Sequence, residues 1–271
     1  MNTPSFFSEL QQRLSYTSRE RWFRTMVRLK KQTRDRGFFD SYPCFFTTSE
    51  TASAPDRLNQ RHCALIQSNI ALISGQKVLD LASHDGRWSV AANKAGANYV
   101  LGIEARRQLV DAARANLREC GVSEGAVEFK QGDMLVELDQ LPSGYFDTVF
   151  CFGFFYHTID HMILLRKIAR LKPKSLIVDT RISNRRGSLI EVYDEPIEHQ
   201  SSAAIGDPGN AARAVKGYPS RAAMDLMLKA AGFATLRHYN WQNAGIKRWD
   251  DLKAYYLGTR VTVTATAGVQ N

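Results

Sequence analysis

Val78-Leu79-Asp80-Leu81-Ala82-Ser83-His84-Asp85-Gly86-Arg87-Trp88 reads as a strand, a turn of small residues and the start of a helix. The Val-Leu-Asp-Leu run forms a short buried strand. The turn from Ala82 to Gly86 lets the backbone approach a ligand. The helix that opens at Arg87 presents N–H groups with no partner inside the helix.

The chain beyond it repeats this plan. Strands are expected at Tyr99–Ile103, Val127–Lys130, Phe146–Cys151, Ser175–Asp179 and Thr235–Tyr239, with a β-branched terminal strand at Arg260–Thr266. Helices are expected at Arg87–Ala95, Gln108–Cys120, His161–Leu171 and Ser220–Ala231, the last stopped by Gly232, with a short one over 249–257. Strands alternating with helices at this spacing imply an α/β fold, a doubly wound, mostly parallel sheet covered on both faces.

Two regions depart from the rhythm. Residues 183–217 are polar, carry Gly187, Gly206, Pro208 and Gly209, and show no clear period. A segment this long inside a compact domain is expected to be a functional lid or disordered, and a lid is the reading taken. Upstream, residues 6–35 have helical spacing, with Phe6, Leu10 and Leu14 on one stripe and Trp22, Met26 and Leu29 on a second. Residues 37–55 look like a connecting loop and 57–74 like another helix. The expected organisation is an N-terminal helical extension over 1–60 and a ligand-binding domain over 61–271, with the insert at 183–217.

The chain has 271 residues, 44% of them hydrophobic and 23% charged, which excludes global disorder. The net charge of +9 is uneven: residues 1–74 hold 11 basic and 6 acidic side chains, whereas the insert is nearly neutral. A basic stripe of Arg21, Arg24, Arg28 and Lys31 could follow phosphates or could be the wet side of a helix packed on the core or on a second subunit. Cys44, Cys63, Cys120 and Cys151 lie far apart in sequence, which argues against a disulfide framework and points to a reducing cytoplasm. No apolar run approaches the ~18 residues of a membrane span.

The ends of the first three strands carry matching chemistry. Glu104 ends the second strand, 18 residues after Gly86 and beside Ala105, where an acid takes both hydroxyls of a ribose. Gly132-Asp133-Met134 follows the third strand; Asp133 can accept from an adenine amino group while Met134 packs on the ring. Trp88 packs its helix or stacks on a ligand.

This order resembles class I S-adenosylmethionine (SAM)-dependent methyltransferases over roughly residues 60–267. Their first motif, commonly D-x-G-x-G-x-G, is met here by Asp80, Ala82, His84 and Gly86, so only the last glycine remains. The departure is tolerable because Ala is small and His accepts positive φ. Phe152-Gly153-Phe154-Phe155-Tyr156-His157 resembles the family's G-x-L-Y-H element after the fourth strand. The resemblance implies a Rossmann-like seven-stranded sheet with SAM as cofactor and S-adenosylhomocysteine (SAH) as product. It implies cofactor contacts from Asp80, Ala82, Ser83, His84, Gly86, Trp88, Glu104, Ala105, Gly132, Asp133, Met134 and Phe152. A nicotinamide-dependent oxidoreductase is disfavoured, because Ala82 and His84 make a poor turn for a pyrophosphate.

SAM carries its own leaving group, so the protein must align the acceptor and exclude water. His157, just past the fourth strand, is the expected base or orienting group, with Tyr156 beside it. His161 is expected to be solvated or to cap its helix. A metal triad of His157, Asp160 and His161 is disfavoured by the helix break between the two histidines. Arg181, past the fifth strand, could steer an anionic group. A small-molecule acceptor, of the kind met in secondary metabolism, is the leading expectation. The alternatives are tRNA or RNA held by the basic N-terminal face, and a protein that binds SAM without catalysis. No membrane partner is expected, and the N-terminal helices could pair two subunits.

Overall fold

The computed structural model describes residues 16–29, 36–48 and 54–268. Helices α1 (Tyr16–Leu29) and α2 (Pro55–Leu65) precede the sheet. The core then runs β1 (Lys77–Leu81), α3 (Arg87–Lys94), β2 (Tyr99–Glu104), α4 (Arg107–Glu119), β3 (Val127–Gln131), α5 (Met134–Gln140), β4 (Thr148–Phe152), α6 (His161–Arg170) and β5 (Ser175–Arg181). A hairpin of β6 (Ile190–Pro196) and β7 (Arg213–Pro219) follows, then α7 (Arg221–Ala230), β8 (Thr235–His238), a short helix Lys253–Tyr256 and β9 (Arg260–Thr266).

The seven-stranded sheet has the order β3-β2-β1-β4-β5-β9-β8. β1 to β5 are parallel, and β9 runs antiparallel between β5 and β8. Alternation within the strands explains why both faces are covered. Val78, Val100 and Phe150 pack into one apolar cluster with α3 and α4. Their neighbours Leu79, Leu101, Val149 and Cys151 pack into the other with α6 and α7. The strand order reverses between β1 and β4, which opens a crevice beyond their carboxyl ends.

Several expectations need correction. The 183–217 insert contains a two-stranded sheet, with β6 and β7 paired antiparallel from Ile190↔Pro219 to Pro196↔Arg213. Residues 37–55 are more than a connector: the 3-10 turns Phe38–Ser41 and Pro43–Phe46 bury Phe39 and Phe45 completely. Phe39 meets Trp88 edge-on at 5.5 Å. Helix α2 ends at Leu65 and gives way to a 3-10 segment over Gln67–Leu72. It crosses residue 60 and buries Leu58 and Leu65 in the same cluster as the sheet.

Among the described side chains of α1, Phe23 is buried and packs on Tyr256 at 5.0 Å, while Trp22 is 53% exposed. Phe6, Leu10 and Leu14 and the side chains of Met26 and Leu29 lie outside the described residues. Cys44 and Cys120 bring their sulfurs to 3.9 Å despite their separation in sequence, and all four cysteines are free thiols. Among the described residues no helix is long and apolar enough to cross a membrane.

Candidate active site

A cavity of about 880 Å³ lies between the carboxyl ends of β1 to β5 and the insert. Its first wall is the β1–α3 turn. Ala82 and His84 hold φ of 53° and 55°, and Gly86 holds 80°. The two positions that lost glycine have therefore kept the left-handed backbone that glycine favours. Three residues outside the turn enforce it. Buried Asp85 accepts from Arg87 Nε at 2.6 Å and from Thr48 Oγ1 at 2.6 Å, and its backbone carbonyl accepts from Asn116 Nδ2 at 3.0 Å. Burial pushes the Asp85 carboxyl up, but Arg87, His84 and Thr48 overcome it and hold the group well below the usual carboxylate range. A Cβ on Gly86 would come within 2.7 Å of Phe129 Cζ, so this glycine is required by packing as well as by φ.

Glu104 sits at the rim of β2. Its Oε2 accepts from the backbone N–H of His84 at 3.1 Å and its Oε1 from that of Arg106 at 3.0 Å. Both oxygens are thereby fixed, and each keeps a lone pair for a further donor. Asp133 caps α5 by accepting from Val136 N at 2.9 Å, and it also lines the cavity. Ala82, His84, Glu104 and Ala105 line this end with Asp133 and Met134, and Trp88 and Phe152 line its middle.

Four residues expected at the cofactor do not line the cavity; they brace its wall from beneath. Asp80 is 1% exposed and accepts from Ser89 Oγ at 2.7 Å, while its other oxygen has no partner among the described residues. Burial raises its pKa to about 7. Ser83 is equally buried, and its N–H bonds Ile103 O at 3.0 Å. Gly86 tightens the turn. Gly132 donates to Glu104 O at 3.1 Å, and a Cβ there would strike Glu137. Each of the four shapes the backbone beside the cavity. Trp88 does both: it meets Phe152 edge-on at 5.7 Å, carries Arg61 over its ring at 5.0 Å, and lines the cavity.

The far end is built from charges paired across long sequence separations. Asp179 on β5 is fully buried and accepts from Arg61 Nη2 at 2.9 Å, Arg260 Nε at 2.7 Å, Tyr255 OH at 2.8 Å and Thr262 Oγ1 at 2.8 Å. Burial pushes its carboxyl up, and the two arginines and the hydroxyl bring it down to about 2. His157 bonds Glu195 of β6 through Nδ1 at 2.7 Å. Glu195 also takes Lys216 Nζ of β7 at 2.6 Å and Ala203 N at 2.9 Å, and these contacts outweigh burial to hold its carboxyl at about 2. Burial lowers the His157 pKa, with Glu195 opposing. The imidazole is then neutral at pH 7, with Nδ1–H donated to Glu195 and the Nε2 lone pair free. Tyr156 lines the cavity beside it and meets Tyr218 edge-on at 5.3 Å.

His161 departs from expectation: it is 0% exposed and its Nε2 lies 3.2 Å from Gly217 O, so it fastens α6 to the insert. Sequence reasoning also missed Arg61, Asp179, Arg260, Glu195 and Lys216. It missed Arg106, whose Nη2 donates to Ile197 O at 3.0 Å and Ala203 O at 2.8 Å and ties the insert to the Glu104 end. Arg106 lies two residues after Glu104, and that proximity was the one available signal.

Residues 78–174 match the family model described as a methyltransferase domain. The chain has no significant sequence match among curated proteins. Solved structures of similar fold include the N-terminal domain of EvdMO1 with SAH bound, at 17% identity and TM-score 0.57, covering 92% of this chain and 97% of that one. Magnesium protoporphyrin IX methyltransferase (ChlM) from Synechocystis PCC 6803 with bound SAM is similar at 16% identity and TM-score 0.54, covering 85% and 91%. The [4+2]-cyclase SpnF is similar at 16% identity and TM-score 0.53, covering 82% and 85%. Residues 78–174 thus match a methyltransferase domain, and the sheet order, with the cavity at its strand ends, gives the chain the fold of these structures.

Proposed function

We propose that the enzyme methylates a small molecule held between the strand ends and the insert. The observation that carries this reading is that the insert is fastened at both ends of one cavity. Arg106 ties it at the Glu104 end, and the His157–Glu195–Lys216 network ties it at the other. The RNA reading draws on Arg21 and Arg24, which stand exposed, but no described residue of α1 lines the cavity.

The residues present fit the cofactor. Glu104 offers two fixed carboxylate oxygens for the ribose hydroxyls, Asp133 an acceptor for the adenine amino group, and Met134 an apolar face. Ala82 and His84 supply a left-handed turn with no bulky side chain between Ala82 and the cavity. When bound, SAM supplies an electrophilic methyl group on a sulfonium that leaves as a neutral thioether. His157 accepts the acceptor's proton at Nε2, and Glu195 holds the imidazole by Nδ1 and stabilises the cation that forms. Tyr156 and Tyr218 orient the acceptor, and the insert excludes water. The four free cysteines accord with a reducing cytoplasm, and the exposure of Trp22 supports pairing of two copies through α1.

Calorimetry with SAH on the full chain tests the cofactor half, and absence of binding at millimolar ligand overturns the reading. Retention on RNA at low salt that falls steeply as salt rises, and that is lost in Arg21→Ala/Arg24→Ala, would replace the small molecule with RNA.

A further inference from the structure

The charges at the β5 end of the cavity do not balance. Asp179 offsets only one of Arg61 and Arg260, and Glu195 offsets Lys216. Arg57, one helical turn before Arg61 on α2, lines the same cavity and has no hydrogen-bond or ion-pair partner among the described residues. Arg181, at the end of β5 and in register with Arg260, also lines it and is likewise unpartnered by its side chain. Asp160, exposed at the rim, and Asp207, whose Oδ2 accepts from Val215 N at 2.7 Å, are the other carboxylates on this side of the cavity, and they leave the cations in excess. Holding Arg57 half-buried beside Arg61 and Arg260 opposes its charge: burial and the two neighbouring cations lower its pKa to about 10. A fold keeps such a group where a ligand completes it.

The position of the cluster decides which ligand. Glu104 lies on β2 and Asp179 on β5, three strands apart in the order β2-β1-β4-β5. At ~4.8 Å per strand this separation is about 14 Å. Glu104 on β2 and Asp133 after β3 would hold the nucleoside, and the strand ends of β1 and β4, with Ala82 and Phe152, would be left for the rest of the cofactor. The Arg57, Arg181 and Arg260 cluster lies one strand further on. It borders Tyr156 and Tyr218, whose ring pair forms an aromatic wall.

We propose that Arg57 and Arg181 bind an anionic group, a carboxylate or phosphate, on an aromatic methyl acceptor, with the Arg61–Asp179–Arg260 triad as the rigid base of that subsite. This inference rests on the small-molecule reading above. It restricts the acceptor to acidic compounds and places the anion on the β5 side of the transferred methyl group. The two guanidinium groups supply forked donors that match either anion.

The test uses the full chain saturated with SAH and titrated with benzoate, phenyl phosphate and their neutral counterpart benzamide at constant ionic strength. The expected result is that at least one anion binds roughly tenfold or more tightly than benzamide, the worth of a charge-assisted hydrogen bond. The better anion identifies the group. The preference should vanish in Arg57→Gln/Arg181→Gln while the SAH Kd stays unchanged. Because Arg57 is unpaired and Arg181 is exposed, the double variant should fold, and the free protein's Tm should rise rather than fall. Equal binding of anions and benzamide to the SAH complex overturns the inference, as does a preference that survives the double variant. A loss of SAH affinity in the double variant also overturns it, by assigning the cations to the cofactor's own carboxylate. Failure of the wild type to bind SAH at the outset sinks the small-molecule reading itself, so the two failures are distinct.

Discussion

The two ends of the cavity are built by different physics. The end at β1 to β3 is made of backbone. Its shape comes from left-handed φ at Ala82, His84 and Gly86, and its acid, Glu104, is fixed by two backbone N–H groups. The end at β4 and β5 is made of side chains. Asp179 gathers Arg61, Tyr255, Arg260 and Thr262, and His157 reaches Glu195 on the insert. A backbone-built site tolerates exchange of side chains, and Ala82 and His84 hold the left-handed turn without glycine. A side-chain-built site can be rewritten one residue at a time, which suits the half that selects the acceptor.

The sharpest way to break this contrast is at Asp179. Asp179→Ala leaves two guanidinium groups buried without their shared carboxylate, and breaking such a pair costs ~3–5 kcal/mol. Denaturant unfolding should show that loss, and a drop under 1 kcal/mol would mean that solvent reaches the cluster. The next largest effect falls on turnover. His157→Gln should lower kcat by roughly 10²–10⁴-fold while leaving SAH affinity intact. An unchanged rate assigns the residue to fastening the insert. The pH dependence has a defined sign. Because burial depresses the folded-state pKa of His157 below 6.5, the neutral base is present throughout the neutral range. Wild-type kcat should be flat above pH 6.5 and fall only below it. The same depression makes His157 favour folding above its unfolded pKa, an advantage lost as pH falls through the folded value. A rate that rises between pH 7 and 9 would point to a different base.

Glu104→Ala examines the other end. It removes a carboxylate that the ribose hydroxyls would share, and SAH binding should weaken by ~1–3 kcal/mol, with kcat at saturation less affected than for His157→Gln. If Glu104→Ala instead unfolds the protein, the carboxylate acts mainly as a tie between His84 and Arg106.

The same contrast explains what could be read in the sequence. The β1 turn, Glu104 and Asp133 were legible because strand ends recur at regular spacing and each presents one residue at a fixed offset. Met134–Gln140 was missed as a helix although Asp133, its cap, was singled out for another role. The acceptor end was illegible because its pairs are distant: Arg61 and Asp179 are 118 residues apart, Arg260 and Asp179 81. The hairpin escaped notice because the one residue that β6 buries is Glu195, so its inward side chain looks like surface. Trp22 and Phe23 show the limit of helical spacing: a shift of one residue exchanges the buried ring for the exposed one.

The smallest expected effect returns to the backbone-built end. Ala82 holds φ of 53°, where a Cβ crowds the following carbonyl at ~1–2 kcal/mol. Glycine relieves that strain but loses ~0.5–1 kcal/mol of chain entropy on folding. Ala82→Gly should therefore stabilise the protein by a net of about 0.5–1 kcal/mol, a Tm rise of about 1–4 °C at this length. His84 offers no such clean test, because its ring contacts Arg87 Nη2 at 3.0 Å. If the turn is defined by the Asp85, Thr48 and Asn116 bonds rather than by its side chains, SAH affinity should not change with Ala82→Gly. A weaker affinity would show that the Ala82 methyl touches the cofactor and that the two ends differ less than their construction implies.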